Sequence, residues 1–493
     1  MDFSARFSAR IVDASKAVSA RIAGLRFAAR PDVMPLAEAE VLARLLAGYT
    51  PLDDLGRQQA LRVAEQRAGQ EFLDVFGIND AREWDPTTLW DQMKPAQRLK
   101  VPIGSNGGNT VWLDLKEAGE GGQGPHGSLT GITGSGKSKL LRAFVLALAM
   151  LHPPETLRIL LGDFKGEAEF AGLEALPHVV GMVSDLSSSS AKLERFEAVL
   201  RGELALVSEM LAAAKYDSVR DYERARATTR PDLPPIGALV IVIDEFSQLL
   251  AHPQYGRQMA DVFDEVGRQG RSKWIHILNA SQRAEQTKAN WLSANQTYFM
   301  VMKVKDAGEG RAAGSHRAFE ELRKSPPGSA FLVVDGDHTK LQGFYTKAPF
   351  VPPKVGVNRA QGQDNFIGAH RFTGAVTPLP AVIEVGEDED EDVDVPDDAP
   401  TVESVLVQQI ARCCSGVRVR PMWLPALEES PDISIDEMAR EFWGRSWDAL
   451  EFDGMGQDER IADLVVPFAR EDNPLRHSQD LVSLDLSGAM ATW

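Results

Sequence analysis

The spacing of apolar residues changes near residue 99, from a helical repeat to short strand-like runs. Before that point, residues 35–46 and 58–76 carry apolar side chains at intervals of three and four, with breakers at Pro51 and Gly77, and predict helices. The extreme N-terminus shows the same spacing. Phe3, Phe7, Ile11, Ala14, Val18, Ile22 and Leu25 recur with Arg6, Arg10, Lys16, Arg21 and Arg26 between them. This predicts an amphipathic basic helix that packs on the domain or a partner helix, lies in an anionic membrane surface, or acts as a targeting peptide. From Leu99 onward, strands are predicted at 101–104, 110–115, 128–130, 157–163, 179–184, 238–243, 274–280, 297–304, 330–334 and 341–345, with helices at 140–151 and 190–215. Residues 238–243 (ALVIVI) are apolar at every position, as expected of a parallel strand covered on both faces.

Between the strand at 128–130 and the helix at 140–151 lies Gly131-Ile132-Thr133-Gly134-Ser135-Gly136-Lys137-Ser138, a full match to the G-x-x-x-x-G-K-[ST] phosphate loop. The glycines let backbone amides turn toward phosphate oxygens, Lys137 supplies a point charge for the terminal phosphates, and Ser138 suits a Mg²⁺ ligand. Gly131, Thr133, Gly134, Ser135, Gly136, Lys137, Ser138 and the following Lys139 are therefore the candidate nucleotide-binding residues. The run at 238–243 ends in Asp244-Glu245. Ligands collect at the carboxyl ends of parallel strands, so Asp244 is expected to hold Mg²⁺ and Glu245 to polarise an attacking water. Asp163 and Lys165 end another strand near the same place, where a structural ion pair is an equal reading. The fold class is α/β, a RecA-like P-loop domain with a mainly parallel sheet over residues 96–350. A helical lead-in covers 1–95, a linker 351–400, and a small C-terminal segment 401–493, with helical patterning at 402–412 and 432–442.

Charge and composition sharpen this picture. The chain has 493 residues and a net charge of −18, but residues 387–398 alone hold nine acids and no base. That tract reads as a solvated linker, and the remainder offers no basic footprint for DNA. The cysteines are the neighbours Cys413 and Cys414, which suits a reducing compartment, and no C-x-x-C or H-E-x-x-H spacing predicts zinc. No apolar run reaches bilayer length, so a membrane span is not expected. Gly308 to Gly314 (GEGRAAG) mimics a dinucleotide fingerprint at the wrong spacing and reads as a loop.

Several further segments occur in order: Gly124-Pro125-His126-Gly127, Asp163-Phe164-Lys165-Gly166, Leu176-Pro177-His178-Val179, Asp221-Tyr222-Glu223-Arg224-Ala225-Arg226, Gly267-Arg268-Gln269-Gly270-Arg271-Ser272 and Ala280-Ser281-Gln282-Arg283. With the phosphate loop and Asp244-Glu245, they resemble the first ATPase domain of EccC, the FtsK/SpoIIIE-type motor of type VII secretion systems. The resemblance extends over residues 34–493. The segment 419–427 is similar to the linker toward a second ATPase, and 467–491 to the opening strands of that domain. The chain ends before a second phosphate loop would begin, which reads as a split subunit or a cut fragment. Two positions depart from the family pattern: Glu167 follows Gly166 where a second glycine is usual, and Lys139 stands where Glu is common.

The resemblance implies ATP and Mg²⁺ as ligands, and ATP hydrolysis coupled to assembly and export. It also implies a cytoplasmic location at the inner membrane and a ring of ATPase domains or subunits, for which six copies is one arrangement. Membrane-embedded secretion components and small helical secreted substrates are the further implied partners. In such a ring one subunit completes its neighbour's site. Arg271 is the candidate finger, with Arg268 second; Gln282 is the candidate to position water or sense the γ-phosphate. A plain surface arginine and a core-edge hydrogen bond are the respective alternatives. Met422 to Leu427 (MWLPAL) is expected to bind a groove on this ATPase domain or its neighbour and restrain it, or else to cover the small C-terminal core. An FtsK-type DNA translocase and a nucleotide-gated scaffold with little turnover are the competing functions.

Overall fold

The computed structural model describes residues 8–11, 18–22, 25–29, 68–94, 97–164, 169–184, 189–283, 295–352, 399–417, 419–429, 432–446 and 465–485. The chain divides into two compact units, Met1–Val63 and Ala64–Trp493.

In the first unit, β1 (Ser8–Ile11), β2 (Val18–Ile22) and β3 (Leu25–Ala29) form an antiparallel meander, with Ile11 opposite Val18 and Ile22 opposite Leu25. This corrects the expected amphipathic helix over residues 3–25. Within each short run the sequence alternates with period two, as in Val18-Ser19-Ala20-Arg21-Ile22, and only two residues separate β2 from β3. Antiparallel pairing of such runs satisfies that local alternation better than one continuous helix does. The predicted helix at 35–46 and the acidic tract at 387–398 lie outside the described residues.

The second unit is built on a sheet of ten strands. They are β4 (Lys100–Asn106), β5 (Asn109–Asp114), β6 (His126–Thr130), β7 (Leu157–Asp163), β8 (Val179–Ser184), β9 (Ala238–Asp244), β10 (Ile275–Ser281), β11 (Tyr298–Val301), β12 (Ser329–Val334) and β13 (Asp337–Gly343). Their order is β5-β4-β13-β12-β11-β6-β10-β9-β7-β8. From β11 to β8 all neighbours pair in parallel, and from β11 to β5 they are antiparallel. The helices used below are α1 (Lys137–Leu151), α2 (Ser190–Ala214), α3 (Val219–Thr228), α4 (Phe246–Leu250), α5 (Gly256–Gln269), α6 (Ala307–Ala312), α7 (Ala318–Leu322), α8 (Val402–Cys413) and α9 (Ile435–Trp443).

Every residue of β9 is buried. Alternate side chains enter two cores: Ala238, Val240 and Val242 pack with α1, while Leu239, Ile241 and Ile243 pack with α2 and α5. A strand with helices on both faces has no solvent side, which is why its sequence shows no alternation. The same packing accounts for α1, nearly all of whose residues are buried. Among the described residues no helix is long and apolar enough to cross a membrane. Helix α5 buries Met259, Val262, Phe263 and Val266, an i, i+3, i+4, i+7 stripe. The Gly308 to Gly314 segment is not wholly a loop, since α6 covers most of it; the Asp306 side chain accepts from the Glu309 amide at 2.9 Å and caps that short helix.

Two downstream pieces return to this core. Met422 is buried in the α2–α5 core, and the amides of Met422 and Trp423 both donate to the Val180 carbonyl of β8 (2.7 and 3.1 Å). Gly181 permits the approach, since a Cβ there would lie 2.5 Å from Trp423 Cβ. Arg195 stacks over the Trp423 ring at 5.7 Å and bonds Asp472 at 3.0 Å. Asp472 belongs to a separate hairpin, β14 (Val465–Asn473) with β15 (Ser478–Asp485), from which Gln479 also donates to the Pro425 carbonyl at 2.7 Å.

Candidate functional site

The phosphate loop leaves the carboxyl end of β6 and enters α1. Its outer atoms are tied to neighbouring elements: the Gly131 amide donates to Ser281 O (3.2 Å), the Ile132 amide to Lys303 O (3.0 Å), and Ser135 O accepts from the Gly328 amide (2.7 Å). Gly136 is the N-cap of α1, with φ 96° and no capping side chain. A Cβ at this position would lie 2.6 Å from the Gly328 nitrogen, so only glycine lets the loop close against that strand entry. The first-turn amides of α1 have no preceding carbonyls to bond and carry the positive end of the helix dipole, which makes the loop an anion cradle.

Strand β9 delivers the acids to the same edge, one strand away across β10. The Lys137 ammonium is ion-paired with Asp244 and lies 3.5 Å from Glu245 Oε1. All three side chains are buried. The Glu245 amide donates to Asp244 Oδ1 at 2.8 Å, and Glu245 adopts φ 53°, a left-handed conformation that costs a non-glycine residue about 1 kcal/mol. That bend turns the chain from β9 into α4 and aims the carboxylate back toward Lys137. Thr133 Oγ1 donates to Gln282 Oε1 at 3.1 Å, which brings the end of β10 onto the loop. Ser138 follows Lys137 in the first turn of α1. Asp163, at the end of β7, stands beside Asp244 in register and accepts from the Glu169 amide at 3.2 Å. Lys165 and Glu167 lie outside the described residues.

Not every candidate joins this cluster. The Lys139 ammonium sits 3.9 Å from the centre of the Tyr345 ring. Arg271 occupies a short turn ahead of β10, at the opposite edge of the sheet; the length of β10 alone separates the two edges by roughly 20 Å. Arg271 is exposed, 4.0 Å from Glu117, and Arg268 pairs with Asp264 at 2.9 Å.

Sequence reading overlooked Arg142. It is buried in α1, bonded to Glu403 of α8, and donates to the Ala171 carbonyl at 2.7 Å. Glu403 also accepts from Thr346 Oγ1 at 3.0 Å. The signal was present: a lone arginine in an otherwise apolar helix must find a buried partner.

A phosphate loop joining a central parallel strand to a buried helix, with paired acids on a second strand at the same edge, defines a P-loop nucleoside triphosphatase. Residues 88–286 match the FtsK/SpoIIIE family. The chain is 32% identical over 499 residues to the ESX-5 secretion system protein EccC5 of Mycobacterium tuberculosis, covering 94% of this chain and 34% of that protein. It is 34% identical over 469 residues to the ESX secretion system protein EccC of Thermomonospora curvata, covering 93% and 34%. Among solved structures, the cytoplasmic domain of the Thermomonospora curvata type VII secretion ATPase EccC matches with a TM-score of 0.64 and 30% identity, over 85% of this chain and 42% of that one. The chain thus carries an FtsK/SpoIIIE-family ATPase domain of the EccC type, and spans about a third of the length of these curated relatives.

Proposed function

We propose that this chain supplies an ATP-hydrolysing unit of a type VII secretion motor, in which ATP binding and hydrolysis drive assembly and export. The observation that carries the reading is the closed Lys137–Asp244–Glu245 cluster beside a phosphate loop, in a chain similar to EccC over nearly its whole length. ATP would draw Lys137 from Asp244 onto its terminal phosphates, leaving a buried carboxylate without its cation. Such a carboxylate fits a divalent ion. Ser138 and Asp244 would hold Mg²⁺, which neutralises charge on the β- and γ-phosphates when bound. Glu245 takes a proton from water as its oxygen bonds to the γ-phosphorus and the bridging oxygen leaves, and Gln282, anchored through Thr133, orients that water. Gly131, Gly134, Ser135 and Gly136 cradle the phosphates through backbone amides.

The implied partners are other ATPase domains or copies in a ring, membrane-embedded secretion components and small helical substrates at the cytoplasmic face of the inner membrane. Arg271 is exposed on the edge away from its own phosphate loop, which suits a finger offered to a neighbour. The seat of Met422 and Trp423 on β8 suits a restraint on the domain. The test combines turnover with export. Glu245→Gln should bind ATP, hydrolyse it slowly and fail to support export of small helical proteins in a strain lacking the native chain; export at the normal level by that variant would refute the motor role.

A further inference from the structure

The edge of the sheet opposite the phosphate loop carries a cleft of about 190 Å³, whose lining includes Lys116, Glu117, Glu120, Arg220, Arg271 and Trp274. Two guanidinium groups from different elements share it: Arg220 from the first turn of α3, and Arg271 from the turn before β10. Each is about half exposed. Each is held at long range by a glutamate of one short segment, Arg220 to Glu120 at 3.5 Å and Arg271 to Glu117 at 4.0 Å, and Arg220 also lies 3.5 Å from Asp221. Lys116, by contrast, is tied down by Asp114 at 2.7 Å and the Arg98 carbonyl at 3.1 Å. Long, solvated pairs of this kind exchange readily for a more highly charged partner, and a guanidinium fork matches phosphate oxygens in bidentate fashion.

We propose that this cleft seats the terminal phosphates of the nucleotide bound to a neighbouring copy, and that Arg220 reaches them together with Arg271. Arg220 is then a second catalytic arginine acting in trans, and Glu117 and Glu120 hold both arginines until a neighbour docks. The proposal rests on the shared-site reading of Arg271 and adds a second residue to it.

The test uses the whole chain and two mixtures. Arg220→Ala should keep its ATP affinity, since its own phosphate loop is intact, while losing roughly 100-fold of the turnover gained at high protein concentration. Arg220→Lys should recover only part of it, because the bidentate fork is gone. Mixing Arg220→Ala with Lys137→Ala should restore turnover, because the second protein lends an intact cleft to the first protein's nucleotide; a merely structural role for Arg220 would not be rescued. If Arg271→Ala with Lys137→Ala is restored but Arg220→Ala alone matches wild type, this proposal fails and the shared site stands. A wild-type rate per molecule that stays flat from dilute to concentrated solution, with neither mixture restored, overturns both.

Discussion

The two edges of the central sheet are held by different chemistry. At the carboxyl edge, buried charges compensate one another: Lys137 with Asp244 and Glu245, and one helix turn away Arg142 with Glu403. At the amino edge, neutral imidazoles bond the backbone. The Leu99 amide donates to His152 Nε2 (2.9 Å), the Ile277 amide to His126 Nδ1 (3.2 Å), and a ring nitrogen of His178 bonds the His152 carbonyl (2.7 Å). Burial pushes the pKa of His126, His152 and His178 down to about 4 and that of His276 to about 3. A charged cluster can be reopened by a ligand of higher charge, whereas a set of uncharged hydrogen bonds gives such a ligand nothing to exchange. The buried histidine layer of the amino edge is thus fixed, and the exchangeable charges of that edge are confined to its solvated surface, at the Arg220–Glu120 and Arg271–Glu117 pairs.

The most severe way to break the carboxyl edge is Lys137→Ala, which should abolish measurable ATP binding; titration calorimetry showing wild-type affinity would contradict the assigned role. Glu245→Gln should retain binding and lose about 1000-fold of turnover, because it removes the proton acceptor and leaves Asp244 in place. A steady-state assay with unchanged kcat would move the water-activating role elsewhere.

The amino edge should fail first to acid. The buried histidines titrate below the unfolded value near 6.5, so as pH falls through that value the unfolded chain binds protons that the native chain refuses. Stability present above pH 6.5 should decline steadily toward pH 4, by about 1 kcal/mol per pH unit for each fully coupled histidine. Thermal melts at pH 7.5 and 5.5 check the direction, and a higher melting temperature at pH 5.5 would contradict it. Glu403→Ala should cost about 3 kcal/mol in urea melts by stranding Arg142 in the core, whereas the volume-matched double change Arg142→Met with Glu403→Leu should cost much less. Trp423→Ala should act more mildly, destabilising by about 2 kcal/mol and shifting the ATPase rate, without touching the nucleotide site. If rate, sedimentation and proteolysis of the 351–430 region all match wild type, that segment is a spacer.

Local chemistry made the carboxyl edge legible before any coordinates. The phosphate loop and the unbroken run ending in Asp244-Glu245 each carry their meaning within eight residues, and the two-core packing of β9 explains why that run shows no alternation. Features set by distant partners were not legible. Arg142 and Glu403 are 261 residues apart, and nothing near either one names the other. The stripe in α5 was present but overshadowed by the polar residues around it. At the N-terminus a three-and-four spacing and a period of two compete within the same residues, and the connection of two residues between β2 and β3 decides for strands. Asp306 likewise turned a glycine-rich stretch into a helix through a single cap.

Strand β8 ends the ten-stranded sheet, and the backbone of Met422 and Trp423 lies along its outer side. An open sheet margin is a template on which another polypeptide can add a strand. The segment at Met422 and Trp423 occupies part of that margin, at the Val180 carbonyl. Lifting the segment from Val180 would uncover that margin, so its release and self-association of the protein are expected to rise together.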